Sequence, residues 1–302
     1  MSIKLIQGDC LEKMKDIADG SVDMVLTDPP YGTIKGIELD GYKKIDTEWD
    51  CPVDQKSMMH HINRILRMNG CVSLFSQQPY TTTLISQSHG NLPFSYSLTW
   101  LKDHFASPLS AKKAPVNYTE DICVFFKKYD TLNGHPLRDY VKSIMQFTKR
   151  DLKEINSDLG HRRAEHFFYV DSTQFGLCTE ETYDEIIEMY KVDKMEGFKK
   201  YEELKEIDRR FSRRFNLPEG KKYKSNVLEY KKDYTGHHPT QKPVALLEDL
   251  IKTYTNEGDT VLDFTMGSGS TGVACKKLKR NFIGIELESS YYEIAVNRIN
   301  SV

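Results

Sequence analysis

The chain has 302 residues, 39% hydrophobic and 28% charged, with a formal net charge of −2. This is the composition of a soluble globular protein with length for one large domain or two ordinary ones. No apolar run approaches the roughly 18 residues of a membrane span, and a chain that is not basic overall can hold nucleic acid only through a local patch.

Six cysteines (Cys10, Cys51, Cys71, Cys123, Cys178, Cys275) are scattered without a Cys-x-x-Cys pair. That speaks against a zinc site or disulfide framework and for reduced thiols in a cytosol. Met1 to Leu5 lead into a strand-like segment and not a signal peptide. The expectation is a cytoplasmic protein with neither a metal nor a membrane partner.

Taken in order, Lys4 to Gln7 reads as a strand, Gly8-Asp9-Cys10 as a turn opening a helix near Leu11 to Ile17, and Val22 to Leu26 as a buried strand. This βαβ unit predicts a parallel sheet. Asp9 lies at a strand's carboxyl end, where it suits helix N-capping as well as a ligand contact. Residues 32–50 show no periodicity and read as a loop beside the site. Lys56 to Met68 reads as a helix, Cys71 to Phe75 as a strand, Gln77 to Tyr80 as the opening of a helix, and Ser95 to Leu101 as a strand. A loop over Asp103 to Thr119 with Lys112 and Lys113, then a strand over Glu120 to Phe126, complete this half.

The strand–helix alternation stops near residue 130. Residues 131–235 hold 21 Lys or Arg against 20 Asp or Glu, and Lys199 to Lys224 holds ten against five, including Arg209, Arg210, Arg213 and Arg214. Such a run is a solvated helix face or a phosphate-binding face. Helices are expected over Leu137 to Phe147, Lys149 to Leu159 and, after Gly160, His161 to Phe168 with Arg162 and Arg163. The layout resembles a helix-turn-helix. From His237 the alternation returns: helix over Pro243 to Tyr254, strand over Thr260 to Phe264, a glycine-rich turn, helix to Leu278, strand over Asn281 to Glu286, helix over Glu288 to Ile299.

Two stretches carry chemistry. In the first, Thr27-Asp28-Pro29-Pro30-Tyr31-Gly32, two prolines end the strand because neither can donate a ladder hydrogen bond. Asp28 therefore sits at the carboxyl end of a parallel strand, where open α/β sheets bind ligands. An anionic acceptor, proline carbonyls and the flat Tyr31 ring suit a planar ligand that bears an amino group; the alternative is a rigid Pro-Pro turn with an exposed Asp. In the second, a glycine turn (Gly267, Gly269, Gly272) follows a strand and precedes a helix, and Glu286 ends the next strand about 20 residues on, the layout by which a Rossmann-like sheet holds a nucleoside. Read literally, Gly267-x-Gly269-x-x-Gly272 also suits a nicotinamide-dependent oxidoreductase, or a turn that needs glycine for packing.

The two stretches occur together. Asp263 through Thr271 resembles the Asp-Pro-Phe-x-Gly-Ser-Gly-Thr-Thr motif of S-adenosylmethionine-dependent DNA amino-methyltransferases, and Asp28 to Tyr31 resembles their Asp-Pro-Pro-Tyr motif. His238-Pro239-Thr240-Gln241-Lys242-Pro243 resembles the segment those enzymes place before the cofactor motif. Catalytic motif first and cofactor motif last is the order of the β-class. The resemblance covers residues 1–130 and 236–302, about two-thirds of the chain. Phe264 and Thr265 depart from the family's Pro-Phe.

The resemblance implies an α/β fold: a Rossmann-like methyltransferase sheet of seven mostly parallel strands with one antiparallel strand, in circularly permuted motif order, interrupted by a mainly helical insert. Residues 1–130 are then the catalytic half, 131–235 a target-recognition domain and 236–302 the cofactor half. S-adenosylmethionine would lie over Gly267 and Gly269, with Glu286 on its ribose, Asp9 toward its adenine and Lys242 near its amino-acid end. Asp263, Phe264, Ser268, Ser270, Thr271, His238, Thr240 and Gln241 would surround it. Asp28 and the Pro29 carbonyl would accept the hydrogens of a flipped base's amine, with Pro30 and Tyr31 completing the catalytic set. Asp before Pro-Pro-Tyr accompanies adenine N6 in this family, with cytosine N4 the alternative. Double-stranded DNA would be held by Lys112, Lys113, Arg162, Arg163, Arg209, Arg210, Arg213 and Arg214. No metal is required, and a homodimer is compatible with the reading.

Overall fold

The computed structural model describes residues 1–32, 50–106, 111–128, 135–172, 174–234 and 241–302. In chain order the first elements are β1 (Ile3–Gln7), α1 (Cys10–Met14), β2 (Val22–Thr27), α2 (Gln55–Ile65), β3 (Leu66–Ser76), α3 (Tyr80–Ser86), β4 (Phe94–Ala106) and β5 (Asn117–Phe126). Four helices follow: α4 (Leu137–Thr148), α5 (Leu152–Leu159), α6 (Glu180–Tyr190) and α7 (Tyr201–Phe211). The chain then returns through β6 (Val227–Glu229), α8 (Val244–Tyr254), β7 (Thr260–Asp263), α9 (Ser270–Lys277), β8 (Asn281–Glu286) and α10 (Ser289–Asn300).

Among the described residues the strands form one eight-stranded sheet in the order β1-β8-β7-β2-β3-β5-β4-β6. Only β5 runs against its neighbours, β3 and β4; every other pair is parallel. From Met24 on, side chains of β2 alternate between two cores, as a strand's period of two requires; Val22 falls outside that alternation because the β2–β3 register shifts between Val22 and Met24. Met24 and Leu26 pack with Leu246, Leu250 and Phe282 on one face. Val22 and Val25 pack with Met58, Ile62 and Ile285 on the other. Helices therefore cover both faces, which is why the central strands read as continuous apolar runs.

The sheet has one strand more than expected. β6 pairs with β4 in the register Thr99↔Val227 to Leu101↔Glu229; three residues within a charged run carry no strand periodicity of their own. The hairpin strands β4 and β5 also extend into the segment read as a loop, so Lys112 and Lys113 lie exposed in the turn between them. α2 stops at Ile65, three residues before its expected end. Leu66 is fully buried and pairs with Val22 of β2, so sheet pairing prevails over helix propensity there.

The chain divides into two compact units, residues 1–128 with 213–302, and residues 129–212. The expected insert ran to 235; from Arg213 onward the chain belongs to the sheet unit, because β6 completes the sheet. The insert's own core is built from Leu137, Val141, Ile144, Phe167, Tyr183 and Leu204. Asp151 caps α5 in a capping box with Glu154, and Gly160 ends it in the left-handed region. The expected third helix over 161–168 is a run of turns. The His161 ring accepts the Arg163 backbone N–H, and the adjacent Phe167 and Phe168 are both buried, so the segment follows its core contacts and not a helical ladder. No helix among the described residues is long and apolar enough to cross a membrane.

Candidate functional site

Adjacent strands bring the two chemical stretches together. β2 pairs with β7 in the register Met24↔Val261 and Val25↔Leu262, so the segment after Thr27 and the segment after Asp263 leave the sheet side by side. Hydroxyls tie them. Thr27 Oγ1 donates to Asp263 Oδ1 (2.7 Å) and lies 2.6 Å from Thr265 Oγ1, while Thr265 Oγ1 donates to the Asp28 carbonyl (3.2 Å). Thr271 Oγ1 at the start of α9 donates to Asp263 Oδ2 (2.6 Å), and the Thr265 N–H reaches Oδ1 (3.2 Å). Asp263 is thus a buried strut between the loops. Burial lifts its carboxyl to about 6, against the hydroxyl hydrogen bonds that favour its charge.

Asp28 is enclosed by charged and aromatic groups. Tyr31 Oη donates to its Oδ1 (2.5 Å), and Lys242 Nζ pairs with Oδ2. Lys242 Nζ also lies 3.0 Å from Glu120 Oε1 on β5, and Lys102 Nζ on β4 lies 2.7 Å from Glu120 Oε2. Burial pushes the Asp28 carboxyl above the usual range, and Glu120, which claims the same ammonium, adds to this against the pull of Lys242. Burial works against the Lys242 charge, but the two carboxylates outweigh it and raise its pKa. Two ammonium groups hold Glu120 below its ordinary value despite burial. The Tyr80 ring lies 5.2 Å from that of Tyr31 at 30°. Its hydroxyl is buried with no hydrogen-bond partner among the described residues. Gly32, at φ +71°, donates its N–H to Asp50 Oδ1 (2.9 Å), which fixes the end of the motif.

On the cofactor side, Glu286 ends β8 with Oε2 on the Gly267 N–H (2.8 Å) and Oε1 on the Glu288 N–H (2.9 Å). Each oxygen keeps a further lone pair. Gly267 lies at φ +50°, a region that favours glycine, and brings no side chain of its own to this carboxylate. A buried carboxylate held by backbone N–H groups beside a glycine has acceptors of the kind ribose hydroxyls donate to. Gln241 reaches the same loop, accepting from Ser268 Oγ (3.2 Å), and Arg298 of α10 donates to the Ser268 carbonyl (2.7 Å) and to Ser270 Oγ (3.3 Å). Gly269, at φ +80°, also lies in the left-handed region, and a Cβ there would meet Ala295; one at Gly272 would meet Ile299 and Phe282.

Several expected contacts lie elsewhere. Lys242, expected near the amino-acid end of the cofactor, pairs with Asp28 and Glu120. Phe264 is 1% exposed and packed in the sheet core, with no ring surface to offer a ligand. Asp9 caps α1, accepting from the Glu12 N–H (3.1 Å), one of the two roles open to it. Arg209, Arg210, Arg213 and Arg214 are not one helical face, because α7 ends at Phe211. Arg214 is buried and paired with Asp259, and Arg213 lies over the Phe126 ring (4.6 Å). Both line a separate cavity of about 470 Å³ beside Tyr96 and Asn226. Arg209 pairs with Glu206 on its own helix, and exposed Arg162 and Arg163 pair with Glu165 and Glu185. His238, Thr240 and the Arg210 side chain, like residues 33–49 of the expected loop, lie outside the described residues. Glu120, Lys102, Tyr80 and Arg298 carry no motif and enter the site only through the fold.

Residues 22–297 match the profile of a DNA methylase family of the N6/N4 type. The Type II methyltransferase M.HpaI of Haemophilus parainfluenzae is 24% identical over an alignment covering 100% of this chain and 75% of that protein. M.HinfI of Haemophilus influenzae is 24% identical over 99% of this chain and 68% of its own length. Among solved structures, the M1.HpyAVI–SAM complex superposes with a TM-score of 0.56 at 22% identity, covering 99% of both chains, a likeness of fold.

Proposed function

The chain belongs to the N6/N4 DNA methylase family, and from that premise we propose that it methylates the exocyclic N6 amine of a flipped adenine at a specific site in duplex DNA, with S-adenosylmethionine as methyl donor. The observation that carries this reading is the coupling of Asp28 to the glycine turn through Thr27, Thr265 and Asp263. An amine acceptor and a nucleoside cradle held on adjacent strand ends can bring two reactants into line, and positioning of this kind is a large part of catalysis.

Glu286, the Gly267 backbone, Gln241 and Ser268 would hold the cofactor, which supplies an electrophilic sulfonium methyl when bound. Asp28 and the Pro29 carbonyl accept the two amine hydrogens, which turns the nitrogen lone pair out of conjugation and toward the methyl. Tyr31 and Tyr80 offer ring faces to the extruded base. After transfer the nitrogen carries one hydrogen too many, and Asp28 is the acceptor placed to take it. Residues 129–212 would read the DNA, with the exposed Arg162 and Arg163 exchanging the carboxylates of Glu165 and Glu185 for phosphates.

The test is mass spectrometry of nucleosides from duplex DNA incubated with the protein and S-adenosylmethionine. N6-methyldeoxyadenosine is the expected product. N4-methyldeoxycytidine would move the target to the other amine of the family, and no methylated nucleoside would refute the reading.

A further inference from the structure

Four side chains from four separate segments form a line of alternating charge: Asp28 after β2, Lys242 before α8, Glu120 in β5 and Lys102 in β4. The Glu120 and Lys102 side chains are 5% and 4% exposed. A buried ion pair is no more stable than apolar side chains of like volume, and it loses much when broken. A second such pair beside the reacting carboxylate therefore points to a task. Lys102 touches Glu120 and not Asp28, so its bond serves to hold Glu120. Glu120 meets the site twice, through Lys242 Nζ at 3.0 Å and through the Tyr31 hydroxyl at 3.4 Å.

We propose that Glu120, clamped by Lys102, is a positioning residue for methyl transfer: it shares the Lys242 ammonium with Asp28 and so fixes that carboxylate without letting the lysine neutralise it outright. Glu120 has this role only if Asp28 receives the target amine, as proposed above. The Tyr31 hydroxyl now occupies Asp28 Oδ1. When an amine takes that oxygen, the hydroxyl turns to Glu120, the second acceptor already within reach. The groups facing Asp28 are Lys242, Glu120, Tyr31, Tyr80 and Asp263. Of these, Lys242 favours its charge and Glu120 opposes it.

The variants are E120Q, K242M and the double variant E120Q/K102Q, which removes one charge of each sign and so keeps the cluster balanced if E120Q alone does not fold. Two readouts are taken on the full chain: the pH profile of kcat/KM, and the ¹³C carboxyl titration of labelled aspartates, with D28N to assign Asp28. In E120Q and in the double variant, Lys242 belongs to Asp28 alone and a like charge is gone. The Asp28 titration and the acid limb of the profile then move to lower pH. K242M moves both to higher pH. In E120Q, kcat falls about tenfold or more from lost alignment, with KM for S-adenosylmethionine unchanged. The titration reads the coupling whether or not any DNA is methylated, so an inactive wild type counts against the proposed function and not against this coupling. An Asp28 titration that stays in place in both Glu120 variants, or moves with that of K242M, overturns the assignment.

Discussion

Replacing Asp263 with Asn tests the strut between the two loops. Asp263 is 4% exposed, and its carboxyl is raised from 3.8 to about 6 by burial. In the unfolded chain it titrates near its ordinary value, so between the two values the folded protein binds the proton that the unfolded chain has lost. The stability from this group is complete below pH 3.8 and is lost as pH rises through about 6. One pKa unit corresponds to about 1.4 kcal/mol, and the linkage integral gives a loss on the order of 1 kcal/mol between pH 5 and pH 7.5. Asn has nearly the same shape and can accept from Thr27 and donate to Thr271, yet cannot ionise. Urea unfolding at those two pH values should therefore show the wild type losing on the order of 1 kcal/mol more than D263N on going to pH 7.5. Equal pH dependence in the two proteins would refute the placement of an ionisable Asp263 in a dry strut.

Two further outcomes follow from named contacts. Arg214→Ala leaves the Asp259 carboxylate buried without its guanidinium and should cost about 3 kcal/mol of unfolding free energy, with DNA affinity unchanged once the protein is folded; a stable variant with weakened DNA binding would return Arg214 to a phosphate-binding surface. Glu286→Ala should weaken S-adenosylmethionine binding by about 1–3 kcal/mol, read by calorimetry. Unchanged affinity in a folded variant would move the ribose contact away from Glu286.

The parts legible in the sequence are those whose chemistry is local. Two prolines ending an apolar strand locate Asp28, and a strand, glycine turn, helix and acid locate Glu286, because each pattern depends on neighbours within a few residues. Glu120 and Lys102 were not legible: Glu120 reaches Asp28 through Lys242, and Lys102 reaches Glu120, both from the antiparallel hairpin β4–β5, and nothing near them in the chain marks them. Lys242 stood in a recognised segment, but its direction is set by Asp28 and Glu120, which are remote in sequence. Arg214 looked like surface, as the exposed Arg213 beside it is, because basic runs generally are; only the fold brings Asp259 to Arg214. The turns over 161–168 show the same limit, since helical spacing of basic and aromatic residues gave way to burial of Phe167 and Phe168.

The most direct test of the account is Asp28→Ala, assayed with S-adenosylmethionine carrying a labelled methyl and a duplex substrate, alongside calorimetric cofactor binding. In the proposed function Asp28 receives the target amine and takes no part in the nucleoside cradle, so the account predicts that labelled N6-methyladenine disappears while S-adenosylmethionine affinity stays at the wild-type value. Turnover near that of the wild type in Asp28→Ala would contradict it.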